Sequence, residues 1–208
     1  EIYTLSLHDA LPICVSELAA ALVAGIQSGG VGTSVKHFAA NNQETDRMRT
    51  SARIDERTLR EIYLSIFERI IEQARPATLM CSYNRINDVY SSENRWLLTE
   101  VLREEWGFDG LVMTDWGAVH DRVAGVAAGL DLEMPSSRGR NDRLVAEAVR
   151  TGVLDESDLD RAVARVLRLV SRYHRETCAV PVDLGAHHEL AREASLTQIG
   201  RASCRERV

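Results

Sequence analysis

Residues 106–119 read Trp-Gly-Phe-Asp-Gly-Leu-Val-Met-Thr-Asp-Trp-Gly-Ala-Val. Two glycines around Phe108 and Asp109 predict a turn, and the apolar run 111–114 that follows is typical of a strand buried on both faces. Asp115 and Trp116 come directly after this run. The stretch therefore predicts a buried strand that ends in a carboxylate and an indole, and barrels of parallel strands keep their active sites at such strand ends.

Apolar strands of this kind alternate along the chain with helical patterns. Strands are predicted at residues 33–38, 77–83, 111–115 and 129–134. Helices are predicted at residues 16–28, 55–73, 94–105, 118–128, 141–151 and 156–172, and another begins at 187–195. Because strands and helices alternate and polar residues cluster where the strands end, the chain is predicted to be a partial (β/α)8 barrel of the α/β class, roughly its second half.

Composition excludes several classes of function. The 208 residues carry a net charge of −6, which disfavours binding to nucleic acid or to an anionic membrane surface. No apolar run approaches the roughly 18–20 residues that span a bilayer. The sequence has neither a glycine-rich nucleotide loop nor a cysteine and histidine spacing typical of zinc, so neither a cofactor nor a metal is expected.

The two ends of the chain differ in character from the middle. Codons can be chosen for residues 1–13 and 199–208 such that one coding string is the reverse complement of most of the other. Unrelated protein termini have no reason to show this relation, and both segments resemble a sequencing-library adapter translated in frame. We therefore leave them out of the fold prediction, as is done for tags and linkers.

Asp115 is the strongest candidate for chemistry. A carboxylate at a barrel mouth, beside an aromatic ring that can pack on the apolar face of a pyranose, suits reactions on sugars. In a retaining glycosidase such a carboxylate attacks the anomeric carbon, while a second carboxyl group about 5–5.5 Å away protonates the leaving group. The same aspartate also fits the N-cap of the helix predicted from Ala118, and the pattern by itself leaves both interpretations open.

Polar side chains at other strand ends and in the first loop are further candidates. Lys36 and His37 end the first predicted strand and can donate hydrogen bonds to sugar hydroxyls, and the lysine charge would favour an ionised Asp115. Arg47 follows at a spacing that lets a loop fold back over the site, and Tyr83 ends the second strand. Taken singly, each also fits a structural role, as a surface cation, a packed histidine, a solvated loop arginine or a barrel tyrosine.

Five segments in unbroken order, over roughly residues 15–198, resemble glycoside hydrolase family 3. They are KHFAANNQE (36–44) with Arg47, DERTLREIY (55–63), MCSYNRIN (80–87), WGFDGLVMTDWGA (106–118) and AGLDLEMP (128–135). Thr114 stands where the family usually has serine. The Ala39–Asn42 version of the first loop is similar to that of β-glucosidase members and lacks the PGHGDT continuation of the N-acetylhexosaminidase branch.

The resemblance implies that Asp115 is the catalytic nucleophile and that five other side chains surround the bound sugar. These are Lys36, His37, Arg47, Tyr83 and Trp116. The first three would bind hydroxyls of the sugar that is cleaved off, the tyrosine would lie against the nucleophile, and the tryptophan would border the leaving group. The implied activity is retaining hydrolysis of terminal, non-reducing β-D-glucosyl residues, without a cofactor, on a small or oligomeric β-glucoside.

The family pattern extends beyond this chain. The acid/base glutamate of the family usually lies in a second, α/β-sandwich domain, and it is not expected among Glu44, Glu93 and Glu133. We expect residues 14–175 to form the C-terminal half of the barrel and residues 176–198 to begin the linker to the second domain.

Three alternatives stay open. The same residues fit a β-xylosidase or another exo-glycosidase of the family. The chain as given would be inactive and prone to aggregate, because half a barrel leaves sheet edges unpaired and an apolar interior open. A lysine at a strand end of a barrel also suits a Schiff-base lyase such as an aldolase, in which Lys36 would form the covalent intermediate.

Overall fold

A computed structural model describes residues 2–6, 12–174 and 183–205. The chain forms two compact units, Glu1–His174 and Arg175–Val208. The first unit contains all of the described strands and the candidate site. The described part of the second unit is mainly one helix, Leu184–Arg205, which includes the helix start predicted at residues 187–195. The predicted boundary at residue 175 and the first part of the predicted linker, 176–182, lie outside the described residues.

The central feature is a parallel sheet. The described strands are β1 (Ile2–Ser6), β2 (Gly32–Phe38), β3 (Ser51–Ala52), β4 (Thr78–Cys81), β5 (Arg85–Ile86), β6 (Val89–Tyr90) and β7 (Leu111–Thr114). Four of them form the sheet in the order β1–β2–β4–β7, with every pair parallel. Leu79 in β4 pairs with Val35 in β2 and with Val112 in β7. All three residues are fully buried, as expected for strands covered on both faces.

A helical segment separates each strand of this sheet from the next. The α-helices are α1 (Pro12–Ser28), α2 (Glu56–Thr58), α3 (Ser65–Ala74), α4 (Arg122–Ala128), α5 (Arg140–Arg150), α6 (Glu156–Tyr173) and α7 (Leu184–Arg205). Leu59–Leu64 and Trp96–Glu105 have π-helical hydrogen bonding, and Ser91–Glu93 is a 3₁₀ turn. The predicted strand–helix alternation and the partial barrel are therefore confirmed, although β1 lies in the terminal segment 1–13, for which no strand was predicted.

Local sequence signals determine both ends of the helical stretch between β2 and β4. At its start, the Asp55 carboxylate accepts a hydrogen bond from the N–H of Thr58 at 3.0 Å, which is N-cap geometry. At its end, Arg75 adopts a left-handed conformation with φ 45°, and Pro76 cannot continue the helix. The helix predicted at residues 55–73 is thus confirmed to within a residue at each end.

The core lies between the sheet and these crossover helices. Phe38, at the end of β2, is fully buried and meets the rings of Phe67 and Trp106 edge-on, with centroids 5.0 and 6.0 Å away. Such edge-to-face pairs stabilise a core beyond the area that they bury. Cys81 is also fully buried, and burial raises the pKa of its thiol, as expected for a packing residue rather than a reactive one.

The strand predicted at residues 129–134 is wrong as a regular strand. Only one parallel bridge, between Met113 and Leu132, joins this segment to β7. The reason is that the carboxylate of Asp131 occupies a place in the hydrogen-bond ladder that a backbone carbonyl would otherwise take. The backbone N–H of Val112 donates to the carboxylate of Asp131 at 2.8 Å instead of to a carbonyl of a neighbouring strand.

The helix predicted from Ala118 begins later, at Arg122. Its N-cap is Asp121, whose carboxylate accepts hydrogen bonds from the N–H groups of Val123 and Ala124 at 2.9 and 3.0 Å. The alternative in which Asp115 caps this helix is therefore excluded.

A small second sheet is formed by β3, which precedes β4 in the chain, and by β5 and β6, which follow it. Here β3 pairs in parallel with β5, and β5 pairs antiparallel with β6. Asn87 and Asp88 connect β5 to β6 with φ values of 48° and 75°. Two consecutive left-handed residues are the conformation of a tight hairpin turn, for which Asn and Asp are suited. This hairpin therefore lies in the loop that leaves β4 at its carboxyl end.

A buried ion network joins the sheet to α6. The carboxylate of Asp131 is fully buried and accepts hydrogen bonds from Arg103 at 2.8 Å and from Arg165 of α6 at 3.0 Å, besides the one from Val112. Burial raises the pKa of Asp131 and lowers that of Arg103. The cost of desolvation thus offsets much of the attraction, and we interpret the network mainly as a fixed connection between α6 and β7.

Asp131→Asn should lower the free energy of unfolding by about 3–5 kcal/mol, because Arg103 and Arg165 would remain buried without a counter-ion. Urea unfolding followed by circular dichroism measures the change. Asp88→Asn is the matched control, since it removes one partner of the exposed Arg53–Asp88 pair and should cost less than about 1 kcal/mol. Equal losses in the two variants would contradict the structural importance of the buried network.

Candidate active site

The candidate site lies where β2, β4 and β7 end. The three strands are parallel neighbours, so their carboxyl ends meet at one edge of the sheet. His37 is the second-last residue of β2, Tyr83 comes two residues after β4, and Asp115 directly follows β7. The structure brings these three predicted residues into contact.

Asp115 has a different partner on each carboxylate oxygen. Its Oδ1 accepts hydrogen bonds from the Tyr83 hydroxyl at 3.1 Å and from the backbone N–H of Trp116 at 2.7 Å. Its Oδ2 lies 2.9 Å from Nε2 of His37. The side chains of Asp115 and His37 are only 12% and 11% exposed. The carboxylate is therefore fixed in orientation while it keeps a narrow opening to solvent.

The backbone around Asp115 is equally constrained. Its N–H donates to the carbonyl of Cys81 at 3.2 Å, which extends the β4–β7 ladder by one residue. The hydroxyl of Thr114 accepts the N–H of Met134 at 2.8 Å, and the carbonyl of Met134 in turn accepts the N–H of Gly117, also at 2.8 Å. Thr114 thus ties the end of β7 to the neighbouring segment through an oxygen that serine would also supply.

Tyr83 donates to the site as a neutral phenol. Its hydroxyl lies 3.1 Å from Oδ1 of Asp115 and 3.0 Å from the carbonyl of Trp116, and its single hydrogen serves one acceptor at a time. Burial raises the pKa of Tyr83, and the negative charge of Asp115 raises it further, whereas Arg47 opposes this shift. The phenol therefore keeps its proton over the neutral pH range and remains a donor.

Arg47 reaches the site over the face of Tyr83. Its guanidinium carbon lies 4.4 Å from the centroid of the tyrosine ring, a cation–π distance. Its Nη1 donates to Glu44 at 2.7 Å, and this hydrogen bond is the largest cause of the raised pKa of Arg47. Asn41 donates to the other oxygen of Glu44 at 3.2 Å. The loop thus folds back over the site as predicted, and Glu44 holds it.

The sequence analysis missed this role of Glu44. The only signal was its position three residues before Arg47, which is also the spacing of many exposed ion pairs with no function.

The side chains of two predicted residues, Lys36 and Trp116, form no hydrogen bond or ion pair with the Asp115 carboxylate, although the backbone N–H of Trp116 does. Lys36 is partly exposed, and its side chain forms no hydrogen bond or ion pair with the residues that the structure describes. Trp116 adjoins Asp115 in the chain and is 65% exposed, so its indole is available at the rim. Of the two residues at the end of β2, His37 is the one that touches the carboxylate.

The other two glutamates near strand ends are engaged elsewhere. Glu93 accepts a hydrogen bond from the N–H of Asp121 at 2.7 Å, and Glu133 accepts one from the amide of Asn141 at 2.8 Å. Among the described residues, no group of three or more acidic, cysteine or histidine side chains is placed to hold a metal ion. The described helices likewise include none that is long and apolar enough to cross a membrane.

A buried carboxylate between a histidine and a tyrosine, at the carboxyl edge of a parallel sheet, lies where (β/α)8-barrel domains place their active sites. Residues 8–169 match the Glycosyl hydrolase family 3 N terminal domain. The chain therefore belongs to glycoside hydrolase family 3, and the resemblance seen in five segments of the sequence is confirmed.

Individual relatives are similar over most of the chain. Thermostable β-glucosidase B of Acetivibrio thermocellus is 53% identical over 185 residues, which is 88% of this chain and 24% of that protein. An exo-α-(1→6)-L-arabinopyranosidase of Bifidobacterium longum is 52% identical over 191 residues, 90% of this chain and 25% of that protein. The crystal structure of a Bifidobacterium adolescentis β-glucosidase superposes with a TM-score of 0.82 and 53% identity, covering 88% of this chain and 27% of that one. The chain thus spans about a quarter of the length of the relatives that it matches.

In the Asp115→Asn variant, the pKa of Tyr83 should fall below its value in the unchanged chain. The charge of Asp115 is the largest cause after burial of the raised pKa of Tyr83, and the substitution removes it. Titration of the tyrosine ring carbons by carbon-13 NMR measures the shift, and Tyr83→Phe assigns the signal.

Asp109→Asn is the matched control for this titration. It removes an exposed carboxylate before the amino end of β7, far from the site along the strand, and should leave the pKa of Tyr83 unchanged. If neither variant changes the titration of Tyr83, the Tyr83–Asp115 contact does not exist in solution.

Proposed function

We propose that the protein carrying this chain hydrolyses terminal, non-reducing β-D-glucosyl residues with retention of configuration, and that Asp115 is its nucleophile. The observation that carries the proposal is the fixed Asp115 carboxylate, with Oδ1 held by two donors and Oδ2 facing His37. Family membership and the names of the β-glucosidase relatives support the same reaction class.

The reaction would proceed by two displacements. First, a carboxylate oxygen of Asp115 attacks the anomeric carbon while the bond to the leaving oxygen breaks, and a carboxylic acid gives that oxygen a proton. Second, the resulting carboxylate takes a proton from water, and the water oxygen displaces Asp115 from the sugar. The donors on Oδ1 hold the nucleophile in one orientation before the substrate arrives, which lowers the entropic cost of the first step.

The surrounding residues would position the sugar. His37 borders the carboxylate of Asp115, Lys36 precedes His37 in β2, and Arg47 lies over the ring of Tyr83. Arg47 has five N–H groups and uses Nη1 on Glu44, which leaves donors for the hydroxyls of the sugar. Trp116, exposed at the rim, would pack against the leaving group.

The acid/base would come from outside this chain. Each of the glutamates near the strand ends already has a partner away from Asp115. The relatives are about four times as long as the match, which leaves room for a second domain that supplies the acid. We therefore infer that residues 14–175 form the C-terminal half of a barrel, that residues 176–198 begin a linker, and that the chain alone does not catalyse the reaction.

A second exo-glycosidase specificity also has support. The arabinopyranosidase of Bifidobacterium longum is almost as similar to this chain as the β-glucosidase of Acetivibrio thermocellus. A pentopyranose lacks the hydroxymethyl group of glucose, so residues that contact that group would decide between the two substrates. Hydrolysis of a β-glucoside and an α-L-arabinopyranoside by one preparation, compared as kcat/KM, separates these possibilities.

A 2-deoxy-2-fluoro-β-glucoside with an activated leaving group should label Asp115 covalently in the protein of full family length, because the fluorine slows both displacements while the activated leaving group keeps the first one fast. Peptide mass spectrometry locates the sugar. Asp115→Ala should abolish labelling and lower kcat roughly a thousandfold or more, as removal of a nucleophile does in other enzymes.

Asp109→Ala is the control, since it removes a carboxylate before the opposite end of β7 and should leave kcat unchanged. A sugar found on another side chain would overturn the assignment of Asp115. If borohydride together with a carbonyl substrate modified Lys36 while glycosides were not hydrolysed, the site would belong to a Schiff-base lyase instead.

A further inference from the structure

Three side chains next to the candidate site form what we call the aromatic clasp: Arg85, Tyr90 and His120. The rings of Tyr90 and His120 are stacked, with centroids 4.7 Å apart and an interplanar angle of 24°. The guanidinium of Arg85 lies 4.5 Å from the Tyr90 centroid, and its Nη2 donates to the Tyr90 hydroxyl at 2.9 Å. The tyrosine is thus held by a cation and by an imidazole ring.

The clasp is attached to the loop that carries Arg47. The Tyr90 hydroxyl lies 3.4 Å from the carbonyl of Met48, the residue after Arg47, and donates to it. Arg85 also belongs to the hairpin of β5 and β6, and its backbone N–H donates to the carbonyl of Thr50 in the same loop at 2.9 Å. Tyr90 therefore rests on a hairpin that is bonded to the Arg47 loop at two points.

The clasp is attached on its other side to the segment that carries Trp116. His120 lies four residues after Trp116 in the chain, and its Nδ1 is 3.6 Å from Glu93. The same carboxylate oxygen of Glu93 accepts the backbone N–H of Asp121, and the hydroxyl of Ser92 donates to the carbonyl of Ala118 at 3.0 Å. The 3₁₀ turn that follows Tyr90 thus holds the segment after Asp115 along its length.

The exposure of the His120 ring shows that it does not serve the core, whereas Tyr90 is half-buried. His120 is 64% exposed, close to the 65% of Trp116, and neither belongs to the buried cluster. An imidazole that is stacked on a tyrosine and yet so open contributes little to folding through burial. The main effect of the imidazole is on geometry, because the stack of Tyr90 and His120 connects the Arg47 loop to the segment that carries Trp116.

We propose that Tyr90 and His120 are positioning residues that set the distance between the Arg47 loop and the Trp116 segment, and so the width of the opening through which a leaving-group sugar is seated. This inference rests on the proposed glycosidase function. Substrates with a sugar leaving group depend on both sides of that opening, whereas a small aryl leaving group depends on it less. Hydrolysis of the glycosyl-enzyme, which takes place after the leaving group has gone, does not depend on it.

The test compares His120→Ala with His120→Phe in the protein of full family length. The alanine variant should raise KM for a β-linked glucose disaccharide about three- to tenfold, the effect of losing one aromatic contact. KM for a small aryl β-glucoside should change less than twofold, by roughly the amount expected of an exposed substitution. The phenylalanine variant restores a ring for stacking and should return both values to within about twofold of the starting protein, a change of the same small size.

Two further measurements separate positioning from general damage. The rate at which 2-fluoroglucosyl enzyme is reactivated in water should be the same in both variants, and so should the melting temperature. Equal disaccharide KM values in all three proteins would overturn the proposal. So would a phenylalanine variant as poor as the alanine variant, because the imidazole chemistry would then matter rather than the stack.

These failures are distinct from failure of the proposed function. If Asp115 is labelled by the fluoroglucoside and His120→Ala behaves like the starting protein, the inference about the clasp is wrong and the nucleophile stands. If no glycoside is hydrolysed and Asp115 is not labelled, the function is wrong, and the inference about the clasp is wrong with it.

Discussion

Parallel pairing of β2, β4 and β7 is the constraint on which the site depends. His37, Tyr83 and Asp115 are far apart in the sequence, and they meet because three neighbouring strands run in the same direction and end at the same edge. The hydrogen bond from the N–H of Asp115 to the carbonyl of Cys81 continues the ladder up to Asp115 itself. The carboxylate is thus positioned by the sheet rather than by a mobile loop, as rigid functional sites require.

Around this rigid centre lie elements held mostly by single polar contacts. Arg47 depends on Glu44 and on the face of Tyr83, and both partners of the Arg47–Glu44 pair are about half exposed. Trp116 is fixed at its backbone, whose N–H and carbonyl both take part in hydrogen bonds, while its indole stays open. The site therefore combines a fixed carboxylate with surrounding side chains that are held less firmly, and binding of a ligand has more freedom to move these side chains than the carboxylate.

Much of the fold and part of the site follow from the sequence. Alternating apolar and helical patterns predict the βα order, and polar residues at strand ends predict that His37, Tyr83 and Asp115 lie together. Local spacing could not predict that the N–H of Val112 binds a carboxylate, which reduces the segment 129–134 to one bridge. Nor could it place the helix cap at Asp121, because the helical pattern in the sequence begins three residues earlier, at Ala118.

The stacked pair of Tyr90 and His120 lay beyond sequence reasoning for a different reason. Their contact depends on how a hairpin and a strand-end loop settle against each other, and neither residue type at its position distinguishes a stacked ring from a solvated one. Glu44 differs again, since its spacing to Arg47 was visible but ambiguous. Contacts between irregular segments are where pattern carries least information, because no period of the backbone dictates them.

At Val112, the carboxylate of Asp131 accepts the hydrogen bond from β7 that a neighbouring backbone carbonyl would otherwise accept. It accepts a hydrogen bond from the backbone N–H of Val112, three residues before Asp115, and another from Arg165 on α6. Arg103, Asp131 and Arg165 thus form one buried ion network, and replacing one of them leaves a buried charge without a partner. A shift of α6 would be transmitted through the side chains of Arg165 and Asp131 to β7, and so to Asp115. A change in the position of α6 would therefore have to be matched by a change at Asp115.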